Sequence, residues 1–220
     1  MNELNEFVKQ EARPLPVILL LDVSGSMGGS PIISLNQAVR EMISTFANED
    51  DIRAEIHVSV ITFGDVAKLY TPLSPAKSIM WQDMNATGMT PLGGALDIAK
   101  NLIEDKSIIT GRAYRPTVIL VSDGAPNDAG WETKMQTFIN DGRSQKADRM
   151  ALAIGAHADE NMLRDFLNDP EKIVYHAEDA SKIKQFFKFV TMSVTTKSKS
   201  TNPNLAVKLP SSLDDPFGDL

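Results

Sequence analysis

The sequence predicts a doubly wound α/β fold with a mostly parallel central sheet, one antiparallel edge strand and helices on both faces. First, segments of strand and helix character alternate along residues 14–192, which is typical of βαβ units around a parallel sheet. Second, the run PVILLLD at 16–22 is almost wholly apolar, as in a strand buried on both faces. Third, the segment FGDVAKLYTPL at 63–73 reads as a turn and a return strand, and so short a turn requires antiparallel pairing.

The first half of the chain contains two strand and two helix signals. After the strand at 16–22, the segment AEIHVSVITF at 54–63 is β-branched and alternating, which predicts a second strand. Residues 74–89 read as a loop. The pair Thr90-Pro91 predicts a helix start, with Thr90 as the N-cap and Pro91 as the first helical residue. The apolar stripes of the two helices are Leu35, Val39, Met42 and Phe46, and Leu92, Leu96, Ala99 and Ile103.

The second half of the chain continues the same alternation. The segment RPTVILVSDG at 115–124 is another β-branched run that stops at an acid, Asp123. Helical patterns follow at 131–141, 159–169 and 179–192, and strand patterns at 149–156 and 172–177.

Domain boundaries are predicted where the composition changes. Residues 1–13 read as an N-terminal extension and residues 14–192 as one folded domain. Residues 193–220 are rich in Ser, Thr, Asn and Pro, which predicts a flexible or partner-docking tail. A chain of 220 residues is long enough to bury a full core as one domain.

Composition excludes several classes of function. The net charge is −7, and no long basic stripe is present, so nucleic acid is not an expected partner. The longest apolar run, 15–21, is too short to span a membrane, and the acidic N-terminus does not resemble a signal peptide. The chain has no cysteine, which excludes disulfides and thiolate zinc sites and suits a reducing compartment.

Polar side chains gather where the carboxyl ends of the strands are predicted to lie. Asp22, Ser24 and Ser26 follow the first strand, Asp123 ends the strand VILVS, and Thr90 opens a helix. Singly, each has an ordinary explanation as a turn or capping residue. Together they form an all-oxygen set at the sheet edge where α/β proteins bind ligands. Such a set favours Mg²⁺, with Mn²⁺ or Ca²⁺ as alternatives, over Zn²⁺ or Cu²⁺.

The motifs around these residues resemble those of the von Willebrand factor A (VWA) domain, which has a Rossmann-like fold. The matching stretches are DVSGSM at 22–27, GMTPLGGAL at 88–96 and VSDGAPND at 121–128. The resemblance implies a metal-ion-dependent adhesion site (MIDAS), and its ligand positions match here without departure. They are Asp22, Ser24, Ser26, Thr90 and Asp123. It also implies direct coordination by the two serines, with one or more of the other three acting through water.

The resemblance implies binding rather than catalysis, with a partner's Glu or Asp filling an open coordination position on the metal. The chain looks most similar to bacterial cytoplasmic members of the family, notably the TerY-like proteins of tellurite resistance and stress response, because of its TPLG and SDGAPND stretches and its absence of cysteine. That similarity implies a serine/threonine kinase or a protein phosphatase of the 2C type (PP2C-type) as partner.

A second function remains open at this point, a Mg²⁺-dependent phosphohydrolase resembling the haloacid dehalogenase class. Asp22 would be its nucleophile, and the segment 123–128 would resemble its acidic metal loop. That class usually has a second aspartate two residues after the first, as general acid, where this chain has Ser24. No lysine is evident in the matching place, so the interaction module is the preferred interpretation.

Several large apolar side chains fall in segments that flank the expected ligands. They are Met27, Met84, Met89, Trp81 and Trp131. Trp and Met suit a binding rim, although they are also commonly core residues. The hypothesis is that Trp81 or Trp131 is partly exposed beside the metal.

Overall fold

A computed structural model describes residues 12–49 and 54–205 as one α/β unit. Its strands are β1 (Arg13–Asp22), β2 (Ala54–Phe63), β3 (Ala67–Pro75), β4 (Thr117–Ser122), β5 (Asp148–Ile154) and β6 (Val174–Ala177). Its helices are α1 (Ser30–Ala47), α2 (Leu92–Glu104), α3 (Trp131–Asn140), α4 (Glu160–Leu167) and α5 (Ala180–Lys199). The strand order is β3-β2-β1-β4-β5-β6, and every pair is parallel except β2 with β3. The predicted fold class is confirmed.

The central strand β1 is apolar because both of its faces are covered. Leu19 and its alternate neighbours pack into the core beneath α1 and α5. Ile18 and Leu20 point the other way, into the core beneath α2, α3 and α4. Successive side chains of a strand point to opposite faces, so β1, which lies between two helical layers, is apolar at every position from Leu15 to Leu21 and ends at Asp22.

The start of α2 differs from the prediction. The helix begins at Leu92, Pro91 occupies the N-cap position, and Thr90 makes no capping hydrogen bond with its side chain. The predicted roles of Thr90 and Pro91 are therefore wrong. A carboxylate from a distant loop, that of Asp128, accepts hydrogen bonds from the N–H groups of Gly93 and Gly94 instead.

The last helix extends past the predicted domain boundary. Helix α5 runs to Lys199, and Val194 and Lys197 on it are buried. Lys197 donates hydrogen bonds to Asp148 and to the Thr117 hydroxyl. Residues 193–199 are thus part of the folded unit, because apolar packing and an ion pair outweigh their Ser- and Thr-rich composition.

The outer parts of both predicted terminal segments lie outside the described residues. These parts are residues 1–11 of the extension and 206–220 of the tail. The docking role of the tail therefore stays a prediction. Among the described helices, none combines the length and apolar character that crossing a bilayer requires.

Candidate metal site

The candidate site lies at the carboxyl ends of the two central strands. β1 pairs in parallel with β4 over Val17–Leu21, so the residues that follow these strands meet at one edge. The chain leaves β1 towards α1 on one face of the sheet and leaves β4 towards α3 on the other. Diverging connections of this kind open a crevice where α/β proteins bind ligands.

Three of the predicted ligands are in direct contact. The Ser26 hydroxyl donates to Asp123 Oδ1 at 2.9 Å, and the Ser24 hydroxyl lies 3.4 Å from the same oxygen. The two serine oxygens are 3.0 Å apart. Ser24 is buried and Ser26 is exposed, so this group of oxygens reaches from the protein interior to the surface.

Asp22 anchors the inner side of the site. Its side chain is fully buried, and its two oxygens accept hydrogen bonds from the Ser24 N–H at 2.9 Å and the Ser122 hydroxyl at 2.7 Å. Burial raises the pKa of Asp22, the hydrogen bonds from Ser24 and Ser122 oppose that rise, and the charge of Asp123 adds to it. Among the described residues, no cationic side chain contributes to its pKa. A cation at this position would supply the missing opposite charge.

Thr90 is linked to the site by its backbone and by the loop before it, and no hydrogen bond among the described residues joins its hydroxyl to the other four predicted ligands. The Thr87 N–H donates to the Val23 carbonyl at 2.7 Å, and the Gly25 N–H donates to the Gly88 carbonyl at 3.0 Å. Gly88 has φ +78°, and a Cβ on it would lie 2.5 Å from the Asp65 Cα. Only glycine therefore fits where this loop passes the backbone of Asp65. These contacts place the Thr90 loop against the loop that follows β1.

Two residues that the sequence did not single out join the Thr90 loop to the Asp123 loop. The Thr90 N–H donates to Asn127 Oδ1 and the Asn127 N–H donates to the Thr90 carbonyl, both at 3.2 Å. Asp128 accepts from the Gly93 and Gly94 N–H groups at 3.1 and 3.0 Å. Both residues belong to the VSDGAPND stretch that carries the family resemblance, but nothing local indicated a partner 34 to 37 residues away.

The close approach at Gly93 gives a stability prediction. A Cβ at this position would lie 2.7 Å from Asp128 Oδ2 and 2.9 Å from the Trp131 Cα. We expect Gly93→Ala to lower the free energy of unfolding by about 1–3 kcal/mol, because the backbone of α3 cannot yield cheaply. Urea unfolding measures the change. Gly111→Ala is the control, since nothing lies within 4 Å of its Cβ position, and a cost there equal to that of Gly93→Ala would contradict the steric explanation.

The donor chemistry of the site fits a hard divalent metal. The predicted set offers two carboxylates and three hydroxyls, and Mg²⁺ is commonly held by one or two carboxylates plus other oxygens. The serine hydroxyls and Asp123 converge on one point. In the described part of the chain, no group of three or more His, Cys, Asp or Glu side chains is placed to hold a metal, so no acid-rich or nitrogen-rich cluster competes with this set.

The apolar residues around the site differ from the predicted rim in part. Met27 and Met84 are buried, because both side chains pack into the core beneath α1 and α5. Met89, beside Thr90, is 66% exposed. Both tryptophans are half-buried: Trp81 packs against Tyr70 and Trp131 lies against Gly93. Met89 is thus the exposed apolar side chain adjacent in sequence to a predicted ligand.

Several solved structures have a fold similar to that of this chain. A von Willebrand factor type A protein from Catenulispora acidiphila superposes with a TM-score of 0.62 and 20% identity, covering 86% of this chain and 43% of that one. Proximal thread matrix protein 1 from the mussel byssus, with a zinc-occupied MIDAS motif, superposes with a TM-score of 0.59 and 16% identity over 82% of this chain and 48% of that one. At these identities the likeness establishes the fold alone.

Sequence comparison gives distant relatives and a family. The inter-alpha-trypsin inhibitor heavy chain H2 of Sus scrofa is 25% identical over 220 residues, covering 91% of this chain and 23% of that protein. The Homo sapiens heavy chain H2 is 24% identical, with 22% of its length covered. The chain therefore spans less than a quarter of these relatives. The family model for the von Willebrand factor type A domain matches residues 17–189, so the chain belongs to the von Willebrand factor type A domain family.

Proposed function

We propose that this chain is a metal-dependent protein-binding module. The five predicted ligands would hold Mg²⁺, which would supply an open coordination position for a Glu or Asp carboxylate of a partner protein. The observation that carries the proposal is the contact of the Ser24 and Ser26 hydroxyls with one Asp123 oxygen, which brings the loops after β1 and β4 to a common point. Domains of this family are protein-interaction modules that often depend on metal and are generally not enzymes.

The site supports this function because three of its five predicted donors are the neutral hydroxyls of Ser24, Ser26 and Thr90. Asp22 and Asp123 carry the two negative charges, and the family resemblance implies that one or more of these carboxylates acts through water. A shell of direct ligands built largely from hydroxyls and water would leave a bound divalent cation electrophilic. The ion would provide a Lewis acid with affinity for an external carboxylate. The protein's own part is to hold these side chains in position, Asp22 through Ser122 and Asp123 through the two serines.

The finer features of the proposal rest on sequence resemblance. We propose a bacterial cytoplasmic protein of the TerY-like type, in a tellurite-resistance or stress-response system, with a serine/threonine kinase or a PP2C-type protein phosphatase as partner. The TPLG stretch after Met89, the SDGAPND stretch and the absence of cysteine support this assignment.

The phosphohydrolase alternative has no support from the family match. The residue two positions after Asp22 is Ser24, whose hydroxyl contacts Ser26 and Asp123 and is no substitute for a general-acid carboxyl. Phosphatase turnover that requires Mg²⁺ and is lost in Asp22→Asn would restore this alternative.

The proposed function predicts metal-dependent capture of a partner. Immobilised wild-type protein is incubated with lysate of its host in Mg²⁺ or in EDTA, beside Ser24→Ala, and retained proteins are quantified by mass spectrometry. We expect a partner retained only by wild type in Mg²⁺, because its carboxylate binds through the ion. Replacing the responsible partner Glu by Gln should abolish retention. Retention of the same proteins in all arms would contradict the proposal.

A further inference from the structure

We propose that Asn127 and Asp128 are positioning residues of the metal site, which fix the Thr90 loop to the loop that carries Asp123. The inference rests on the metal site of the proposed function. It explains how the loop that carries Thr90 is held in position by the loop that carries Asp123.

Asn127 forms hydrogen bonds with both the N–H and the carbonyl of the Thr90 backbone. Its side-chain oxygen accepts from the Thr90 N–H and its own N–H donates to the Thr90 carbonyl, both at 3.2 Å. Thr90 is 7% exposed, so water has little access to replace these bonds. Two hydrogen bonds to one residue fix its orientation as well as its position.

Asp128 holds the chain immediately after Thr90. Its carboxylate accepts from the N–H groups of Gly93 and Gly94 in the first turn of α2, which has no side-chain cap of its own. A negative charge is favoured at a helix N-terminus. Because Gly93 has no side chain, the carboxylate approaches the helix closely. The position of α2 is thereby tied to the loop after β4.

The two attachments hold Thr90 itself and the first turn of α2 directly after it. The loop before it, Ile79–Met89, contains no helix or strand, so it restrains Thr90 less than a regular element would. Asn127 and Asp128 follow Asp123 by four and five residues, so the segment that supplies one ligand also places another. Partners outside the ligand set typically change metal affinity about 10–100-fold when they are removed.

A double-mutant cycle on Mg²⁺ affinity, measured by isothermal titration calorimetry, tests the inference. We expect Asn127→Ala to weaken binding about 10–100-fold and Asp128→Asn, which keeps one acceptor oxygen, to weaken it less than Asp128→Ala. In a Thr90→Ala background, Asn127→Ala should cost no more than about twofold, because the ligand that it positions is gone.

Asn204→Ala is the matched control. The side-chain oxygen of Asn204 accepts a hydrogen bond from the Arg115 N–H at 2.8 Å, as that of Asn127 does from Thr90, but Arg115 precedes β4 and so lies at the opposite edge of the sheet from the ligand loops. Its effect on Mg²⁺ affinity should stay below about twofold in both backgrounds, as for independent sites. Hydrogen exchange without metal adds a second readout, in which Asn127→Ala should accelerate exchange of the Thr90 amide.

The outcomes separate this inference from the proposed function. If wild type binds Mg²⁺ and Asn127→Ala binds it equally well, the positioning role is wrong and the proposed function stands. Equal losses in the wild-type and Thr90→Ala backgrounds would indicate a general structural role and also overturn it. If wild type binds no divalent metal, both the proposed function and the positioning role are wrong.

Discussion

Mg²⁺ is expected to stabilise the wild-type protein and to leave Ser24→Ala unaffected. Ligand at about 100 times its dissociation constant stabilises a folded protein by about 2.7 kcal/mol, which raises Tm by about 5–10 °C for a domain of this size. Ser24 is buried beside Ser26 and Asp123, so its removal takes an oxygen from the centre of the site. Thermal unfolding with and without Mg²⁺ measures the effect, and Asp123→Asn should also abolish the shift.

Ser59→Ala is the matched control for Ser24→Ala. Ser59 is a buried serine on β2 whose hydroxyl donates to the Thr71 carbonyl at 2.9 Å. Its removal changes a buried hydrogen bond far from the ligand loops, so the Mg²⁺-induced rise in Tm should remain. A Mg²⁺ shift that survives in Ser24→Ala would place the ion elsewhere.

Asp148→Ala is expected to lower the free energy of unfolding by about 3–5 kcal/mol, because it leaves a buried ammonium without its counter-charge. The Asp148 carboxylate pairs with Lys172 at 2.6 Å and with Lys197, which is 6% exposed. Urea unfolding at neutral pH measures this cost. Asp97→Ala, which removes the exposed partner of Lys134, should cost less than about 1 kcal/mol.

The stabilisation by Asp148 should depend on pH in a defined direction. Burial acts to raise the pKa of Asp148, but the ammonium groups of Lys197 and Lys172 outweigh it and hold that pKa below the ordinary 3.8. A lowered folded-state pKa stabilises above the unfolded-state pKa and ceases to do so as the pH falls through the folded value. The cost of Asp148→Ala should therefore be full at pH 7 and shrink below pH 3.8. A cost independent of pH would contradict the ion-pair explanation.

The ion pair between Lys197 and Asp148 determines where the chain can be truncated to test the predicted docking role of the tail. Truncation near residue 195 would remove Lys197 and the end of α5, so its effects would mix unfolding with lost docking. Truncation after residue 205 leaves the described fold intact and tests the predicted docking role of residues 206–220.

Much of the fold follows from the sequence, and so does the meeting of the loops after β1 and β4, because both depend on local patterns. The apolar run of β1 required two covered faces, and the two strand-end acids then had to meet, since parallel strands end at the same edge. The contact of Ser24 and Ser26 with Asp123 is the consequence. The antiparallel β2–β3 edge followed from the length of its turn alone.

The remaining features depend on contacts between distant residues. The capping of α2 by Asp128 spans 34 and 35 residues. The sequence predicted a different cap, because the local Thr90-Pro91 pair is itself a typical helix start. The pairing of Lys197 with Asp148 spans 49 residues, so composition alone placed Lys197 in a tail. Burial of Met27 and Met84 likewise depends on how the loops pack over the core.

The most direct measurement is anomalous diffraction from a crystal of this protein grown with Mn²⁺. This ion replaces Mg²⁺ and, unlike Mg²⁺, gives a strong anomalous signal. We predict a single peak within coordination distance of the Ser24 and Ser26 hydroxyls, near Asp22, Thr90 and Asp123, with at least one coordination position filled by solvent or by a carboxylate from another molecule. Absence of a peak there, or an ion whose every ligand comes from this chain, would contradict the account.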